Sequence, residues 1–168
     1  SHGLLYNFYS IFLEQNHYSK TIIGILWSIG VICEIFIFLL IPKIMKFVSL
    51  KQLIFISLVL AVMRFFLIGQ FIDNLFILFL AQTLHAATFG CFHVASVQVI
   101  EHFFNKEHHA RGQSIYNSIT YGLGGVIGGL GGGFLIDRIG MNLTFTLSAL
   151  LPLIAIFILR LGLRNYPD

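Results

Sequence analysis

Five stretches of this chain are too long and too apolar to be the core elements of a water-soluble domain. Residues 21–41, 50–72, 75–100, 112–136 and 143–161 run almost without charge. Each is about 19–26 residues long, what a tilted α-helix needs to cross roughly 30 Å of hydrocarbon. Strands of a membrane β-barrel would be about half that length and would alternate in polarity. A further apolar stretch, residues 1–13, would reach only about 20 Å as a helix, so the first span reads as lacking its start. The expected fold is an all-α membrane protein, a six-helix bundle with a truncated first helix, forming one domain over residues 1–168.

Composition agrees. Hydrophobic residues make up 57% of the chain, charged residues only 10%, and there are 18 phenylalanines. A soluble domain is nearer 45–50% apolar and about 25% charged. The lipid bilayer is therefore the expected solvent. A net charge of +3 would hint at nucleic acid in a soluble protein. Here the basic residues sit between apolar runs and read as topology markers, with no nucleic-acid partner. Lys43, Lys46, Lys51, Lys106, Arg111, Arg160 and Arg164 fall on one set of span ends, and only Lys20 and Arg138 on the other. That asymmetry places the first set, and the C-terminus, in the cytoplasm of a bacterial inner membrane. No signal-peptide pattern opens the chain. Cys33 and Cys91 lie inside apolar runs, where thiols behave as small hydrophobes.

The stretch YGLGGVIGGLGGGFLIDRIG, residues 121–140, is unusually rich in glycine. Neither G-x-G-x-x-G nor a P-loop fits it: the sixth positions are Ile127 and Phe134, and no Lys-Ser/Thr follows. Spacing by four does fit. Gly124, Gly128 and Gly132 form one track, with Gly125, Gly129 and Gly133 beside it. Such a helix lets a neighbouring backbone approach closely, and van der Waals contact is a main attraction between helices in lipid. The face serves either static packing or sliding.

Three ionisable side chains stand near the middles of spans: Glu34, Arg64 and His85. An ionised group there costs at least about 2.5–3.5 kcal/mol, so each should face the bundle interior or a wet cavity. Pairing of Glu34 with Arg64 is one expectation, either as a bridge that only orients two helices or as part of a proton-coupling network. A carboxylate whose proton affinity changes with conformation or with a bound ligand is the physical minimum for such coupling. Around these charges, Gln82, His85, Phe89, His93 and Ser96 recur at helical spacing. Trp27 lies two turns before Glu34. Tyr6, Asn7 and Tyr9 give the first stretch a polar side, as Tyr116, Asn117, Thr120 and Tyr121 do for the glycine-rich one. Apolar walls with a few convergent polar groups describe a small-ligand cavity. Its expected lining is Tyr6, Asn7, Trp27, Gln82, Phe89, His93, Asn117 and Tyr121.

His102, His108 and His109 lie with Glu101 and Glu107 in an expected loop over residues 101–111. Nothing in their spacing enforces the convergence a metal needs, so no metal or cofactor is expected. His2 and His17 carry no signal. No G-x-S-x-G or H-E-x-x-H motif is present.

The phrases SHGLLYNFYSIFLE, GILWSIGVICEIFIF, ARGQSIYNS and GGGFLIDRIG, in that order, resemble the C-terminal half of a major facilitator superfamily transporter. More narrowly they resemble the 3-phenylpropionate permease group, related to the lactose permease-like oligosaccharide:proton symporters. The resemblance covers essentially the whole chain. It implies helices seven to twelve of a twelve-helix fold, with a missing N-terminal six-helix half as partner. In the sugar symporters an acid on helix eight, an arginine on helix nine and a histidine on helix ten form the coupling constellation. Glu34, Arg64 and His85 match those places. A second acid one turn after the histidine is replaced here by Thr88, which shifts the proton role to Glu34 or to the other half.

The expected function is therefore non-enzymatic: proton symport of a small organic solute, an aromatic acid or a sugar. A non-transporting receptor or assembly subunit, and a membrane-embedded metal enzyme, are the rival classes.

Overall fold

A computed structural model describes residues 1–162; Arg164, one of the basic residues expected at the cytoplasmic span ends, lies outside them. Among the described residues all regular structure is helical. The first three elements are plain α-helices: α1 (His2–Gln15), α2 (Lys20–Ile44) and α3 (Leu50–Gln70). Polar residues between the apolar runs act as start signals. Ser19 Oγ accepts the Ile22 N–H at 3.3 Å, and Asn74 Oδ1 accepts that of Ile77 at 3.2 Å. Ser49 and Gln52 form a reciprocal capping box on α3. Each such cap satisfies backbone donors that would otherwise go unpaired, typically contributing about 1 kcal/mol.

The later spans are less regular. α4 (Leu75–His85) passes through a π-helical turn, Ala86–Cys91, into α5 (Phe92–Phe103) without a break. A 3-10 turn, Lys106–His108, then leads into α6 (His109–Asn117), a second π-turn, Ser118–Leu123, and α7 (Gly124–Ser148). Last comes α8 (Leu150–Gly162). The loop expected over residues 101–111 is thus mostly helical, with only Phe104 and Asn105 outside helices. Its residues are mostly polar but include no glycine or proline, so nothing in them breaks a helix. The turn expected at 137–140 narrows to Gly140, whose φ of 79° and ψ of 168° are open essentially to glycine alone.

At Gly140 the chain doubles back. Glycines 124, 128 and 132 before it and Thr144, Leu147 and Ser148 after it line one apolar groove of about 550 Å³. The returning arm runs antiparallel to α3. Gln70 at the end of α3 donates to Thr146 Oγ1 at 2.8 Å, while Arg160 lies over Phe55 near its start. Among the described residues, four helical stretches are long and apolar enough to cross a membrane: Lys20–Ile44, Leu50–Gln70, Leu75–Phe103 and the folded-back Lys106–Gly162.

Two apolar clusters hold the bundle. One gathers Leu5, Tyr9, Phe12, Leu26, Phe65, Ile68, Leu78 and Phe145. The other gathers Ile41, Leu53, Ile54, Leu58, Cys91 and Ala95. Along α3 and the Leu75–Phe103 span, the buried polar residues Arg64, Gln82, His85 and Thr88 fall between the two. Outward-facing Phe36, Leu39, Phe76, Phe157 and Ile158 are exposed, as a lipid-solvated surface requires.

Candidate functional site

The buried face of α3 repeats at Ser57, Ala61, Arg64, Phe65 and Ile68, which turns Arg64 inward. Its side chain is fully buried. Nε donates to the Ala81 carbonyl at 2.9 Å, and Nη2 to Gln82 Oε1 at 3.3 Å. Nη1 donates to Thr88 Oγ1 and to His2 Nε2, both at 3.4 Å. Because a guanidinium only donates, His2 must present a lone pair at Nε2 and carry its proton at Nδ1. Thr88 completes its own pattern by donating to the His85 carbonyl at 3.2 Å. Among the described residues, every hydrogen-bond partner of Arg64 is therefore an uncharged acceptor.

The expected Glu34–Arg64 pair is not formed. Glu34 is half-buried on α2, and its Cγ lies beside Gly90 on the first π-turn, where an added Cβ would sit 3.6 Å away. Glu34 meets the Leu75–Phe103 span from α2 at Gly90, whereas Arg64 meets it from α3 at Ala81, Gln82 and Thr88. Gly30 brings α2 close to that span: a Cβ there would stand 3.2 Å from Gln82 Oε1. Three buried polar atoms beside Arg64 lack a hydrogen bond, namely Tyr9 Oη, Gln82 Nε2 and His85 Nδ1. Tyr9 and Gln82 approach each other without reaching full hydrogen-bond geometry.

Aromatic rings extend from this polar centre. His85 stacks on Phe89 at 5.4 Å, and Phe89 on His93 at 6.1 Å. Tyr121 Oη and His93 Nδ1 are 2.9 Å apart and hydrogen-bonded. His2 touches the Phe65, His85 and Phe89 rings. A cavity of about 110 Å³ lies among His2, Tyr6, Thr88, Phe89, Tyr116 and Tyr121. Trp27 stands to one side, stacked on Tyr6 and edge-on to Tyr9, with Nε1 donating to Ser10 Oγ at 2.9 Å. Asn7 spends its amide on the Gly3 carbonyl at 2.7 Å and rests against Gly129. Asn117 is exposed.

The glycine tracks meet α1 unevenly. A Cβ on Gly128 would fall 2.9 Å from the Gly3 Cα, and one on Gly132 would run into Leu4. Gly129 and Gly133 flank this approach against Asn7 and Phe8. Gly125 has nothing within 4 Å of an added Cβ, and Gly124 meets only the Ile119 carbonyl of its own rod. His102, His108 and His109 do not converge into a metal-type group, nor do any three His, Cys, Asp or Glu among the described residues.

The model of the MFS_1 like family matches residues 1–147. The chain belongs to that family. Among curated proteins, this MFS_1 like chain is 31% identical over 158 residues to the "Probable 3-phenylpropionic acid transporter" of Escherichia coli (strain K12). The match covers 94% of this chain and 41% of that relative's length. No solved structure matches. With its apolar helices, an MFS_1 like chain of this kind is an integral membrane protein.

His2 is the residue of the MFS_1 like site that carries no sequence signal. It stands at the edge of a short apolar stretch, where a polar residue is not anomalous. Only the placement of the start of α1 against the Phe65, His85 and Phe89 rings brings it to Arg64.

Proposed function

We propose that this bundle forms the substrate-binding part of a proton-driven secondary transporter for a small aromatic monocarboxylate. The observation that carries this reading is Arg64: a fully buried cation whose hydrogen-bond partners among the described residues are all neutral. A buried charge without an opposite charge is costly, and a well-placed ligand that supplies one recovers part of that cost. The contacts to Thr88, His2 and Gln82 are long, at 3.3–3.4 Å. A carboxylate can exchange them for charge-assisted bonds of about 2.7–2.9 Å in the fork geometry that arginine favours.

The rest of the molecule fits beside that anchor. His2 and Thr88, both bonded to Arg64, also line the aromatic cavity. At about 110 Å³ it approaches the roughly 150 Å³ apolar cavity that holds a benzene ring. Trp27, a cavity candidate on whose ring a sugar would stack, is already stacked on Tyr6 and hydrogen-bonded to Ser10, which disfavours the sugar reading. The name of the Escherichia coli relative, an aromatic acid transporter, points the same way.

Transport against an inside-negative potential costs a monoanion about 2.3 kcal/mol per 100 mV, and a co-transported proton removes that cost. Glu34 and His85 are the proposed proton-bearing groups, joined by His2. Binding takes place between this bundle and a second six-helix bundle, and rocking of one against the other alternates access. The relative's greater length leaves room for that second half. The proposed setting is a bacterial inner membrane with the C-terminus inside.

Counterflow of a labelled aryl-propionate in proteoliposomes holding the full-length gene product tests the assignment. The protein should exchange the aryl acid and ignore a neutral disaccharide. Arg64→Gln should cut exchange roughly 100-fold or more, and Arg64→Lys should recover part of it. Binding without flux, disaccharide exchange, or normal exchange by Arg64→Gln would each overturn it.

A further inference from the structure

The aromatic cavity beside Arg64 has two chemically different polar ends. At one, His2 and Thr88 are bonded to the guanidinium. The other is formed by Tyr116, Thr120 and Tyr121, with His93 beside them. Tyr121 Oη and His93 Nδ1 are 2.9 Å apart, and the Tyr116 hydroxyl approaches both Ser96 and Tyr121. In the chain of ring contacts Phe89 stands between the two ends. Its ring is 5.9 Å from that of His2 and 6.1 Å from those of His93 and Tyr121.

A carboxylate matches the first end and an aryl ring the middle, but neither uses the second end. A tyrosine hydroxyl can donate once and accept twice. The His93 contact takes one of those places in either tautomer, and a bond with Tyr116 takes another. Tyr121 Oη therefore keeps one for a ligand. It is 40% exposed, so water meets that place until a ligand covers it. An unsubstituted ring would expel the water and offer no bond in return, which is costly in apolar surroundings. A ring hydroxyl restores the bond, because it can donate or accept. An ionised substituent is less suited, since tyrosine and threonine hydroxyls supply no full counter-charge. The spacing also fits. From Thr88 to His93 the helix rises about 6–8 Å, a distance that a short linker and one benzene ring cover.

Resting on the aromatic monocarboxylate reading, we infer that the substrate's ring carries a hydroxyl remote from its carboxylate, and that Tyr121 and Tyr116 select for it. The carboxylate meets Arg64, His2 and Thr88, the ring lies along Phe89, and the hydroxyl bonds to Tyr121 Oη. His93 is a positioning residue here: it acts through Tyr121, fixing where that hydroxyl points.

The test uses the full-length gene product in proteoliposomes exchanging labelled, unsubstituted phenylpropionate. The competitors are its hydroxy and methyl derivatives, each at the meta and the para position of the ring. The better hydroxy acid should compete roughly three- to tenfold more strongly than the methyl acid of the same position, which is similar in size but forms no hydrogen bond. Equal competition would overturn the inference and leave the carboxylate reading standing, because both acids would still bind. If no aryl acid is exchanged, the carboxylate reading falls and this inference falls with it. In Tyr121→Phe the ratio of hydroxy to methyl competition should drop to about one, and in Tyr116→Phe it should drop part of the way. A tyrosine that only held helices together would weaken both competitors in proportion; an unchanged ratio in Tyr121→Phe would therefore reject its assignment. The ratio in the parent protein needs no variant, so it decides the matter even where a variant fails to fold.

Discussion

Arg64 is held by dipoles rather than by a counter-ion, so its neighbours bear on stability as well as binding. Gln82→Leu removes one acceptor from the guanidinium, and also deletes an amide nitrogen that has no partner. The expected net cost is about 1–2 kcal/mol in a reversible melt, less than for loss of a fully bonded buried group. Glu34→Gln should behave differently. Among the described residues Glu34 forms no ion pair with Arg64, so the variant should melt within about 0.5 kcal/mol of the parent. It should keep solute exchange but lose uphill accumulation; normal accumulation would remove Glu34 from the coupling role. At this scale the sequence was informative wherever a polar residue interrupted an apolar run, as at Arg64, Gln82 and His85. It could not show which way Glu34 turns, because spacing fixes a helix face but not its rotation against two neighbours. His2 was illegible because it interrupts nothing: it borders an apolar run rather than standing inside one.

Helices were legible because lipid leaves the backbone no other way to satisfy its hydrogen bonds. Their irregularities were not. Both π-turns, Ala86–Cys91 and Ser118–Leu123, border the aromatic cavity through Thr88, Phe89, Thr120 and Tyr121. Each takes in a surplus residue, which rotates the facing of the downstream residues by about 100°. A cysteine-accessibility scan along Leu75–Phe103 should therefore show a helical period whose phase slips across the first π-turn. An unbroken period would contradict it. The glycine tracks make a second element-level contrast. Gly128→Leu would drive a side chain into the α1 backbone at Gly3 and Leu4. It should destabilise by about 1–3 kcal/mol and cripple transport. Gly131→Leu, with nothing within 4 Å of its Cβ, should leave the melting temperature nearly unchanged. Equal effects at the two positions would reject the packing assignment. Spacing by four found this helix face, but it also included Gly125, whose backbone lies beside Gly3 while a Cβ of its own would meet nothing within 4 Å.

For the whole molecule, the alternation of helix directions ties the topology to charge. Cysteines placed at Lys46 and Lys106 should react with a membrane-impermeant reagent only from the cytoplasmic side. Cysteines at Lys20 and Arg138 should react only from the other. Labelling of all four from one side would refute the arrangement. The doubling back at Gly140 makes this pattern possible, since it returns the last arm toward the end where Lys46 and Lys51 lie. The two apolar clusters with a polar seam between them have a mechanical corollary. Grease is indifferent to small rotations only when it is continuous, and here it is interrupted at mid-height. Each storey can stay clamped while the storey above it swivels, so the plane of least resistance passes through the guanidinium itself.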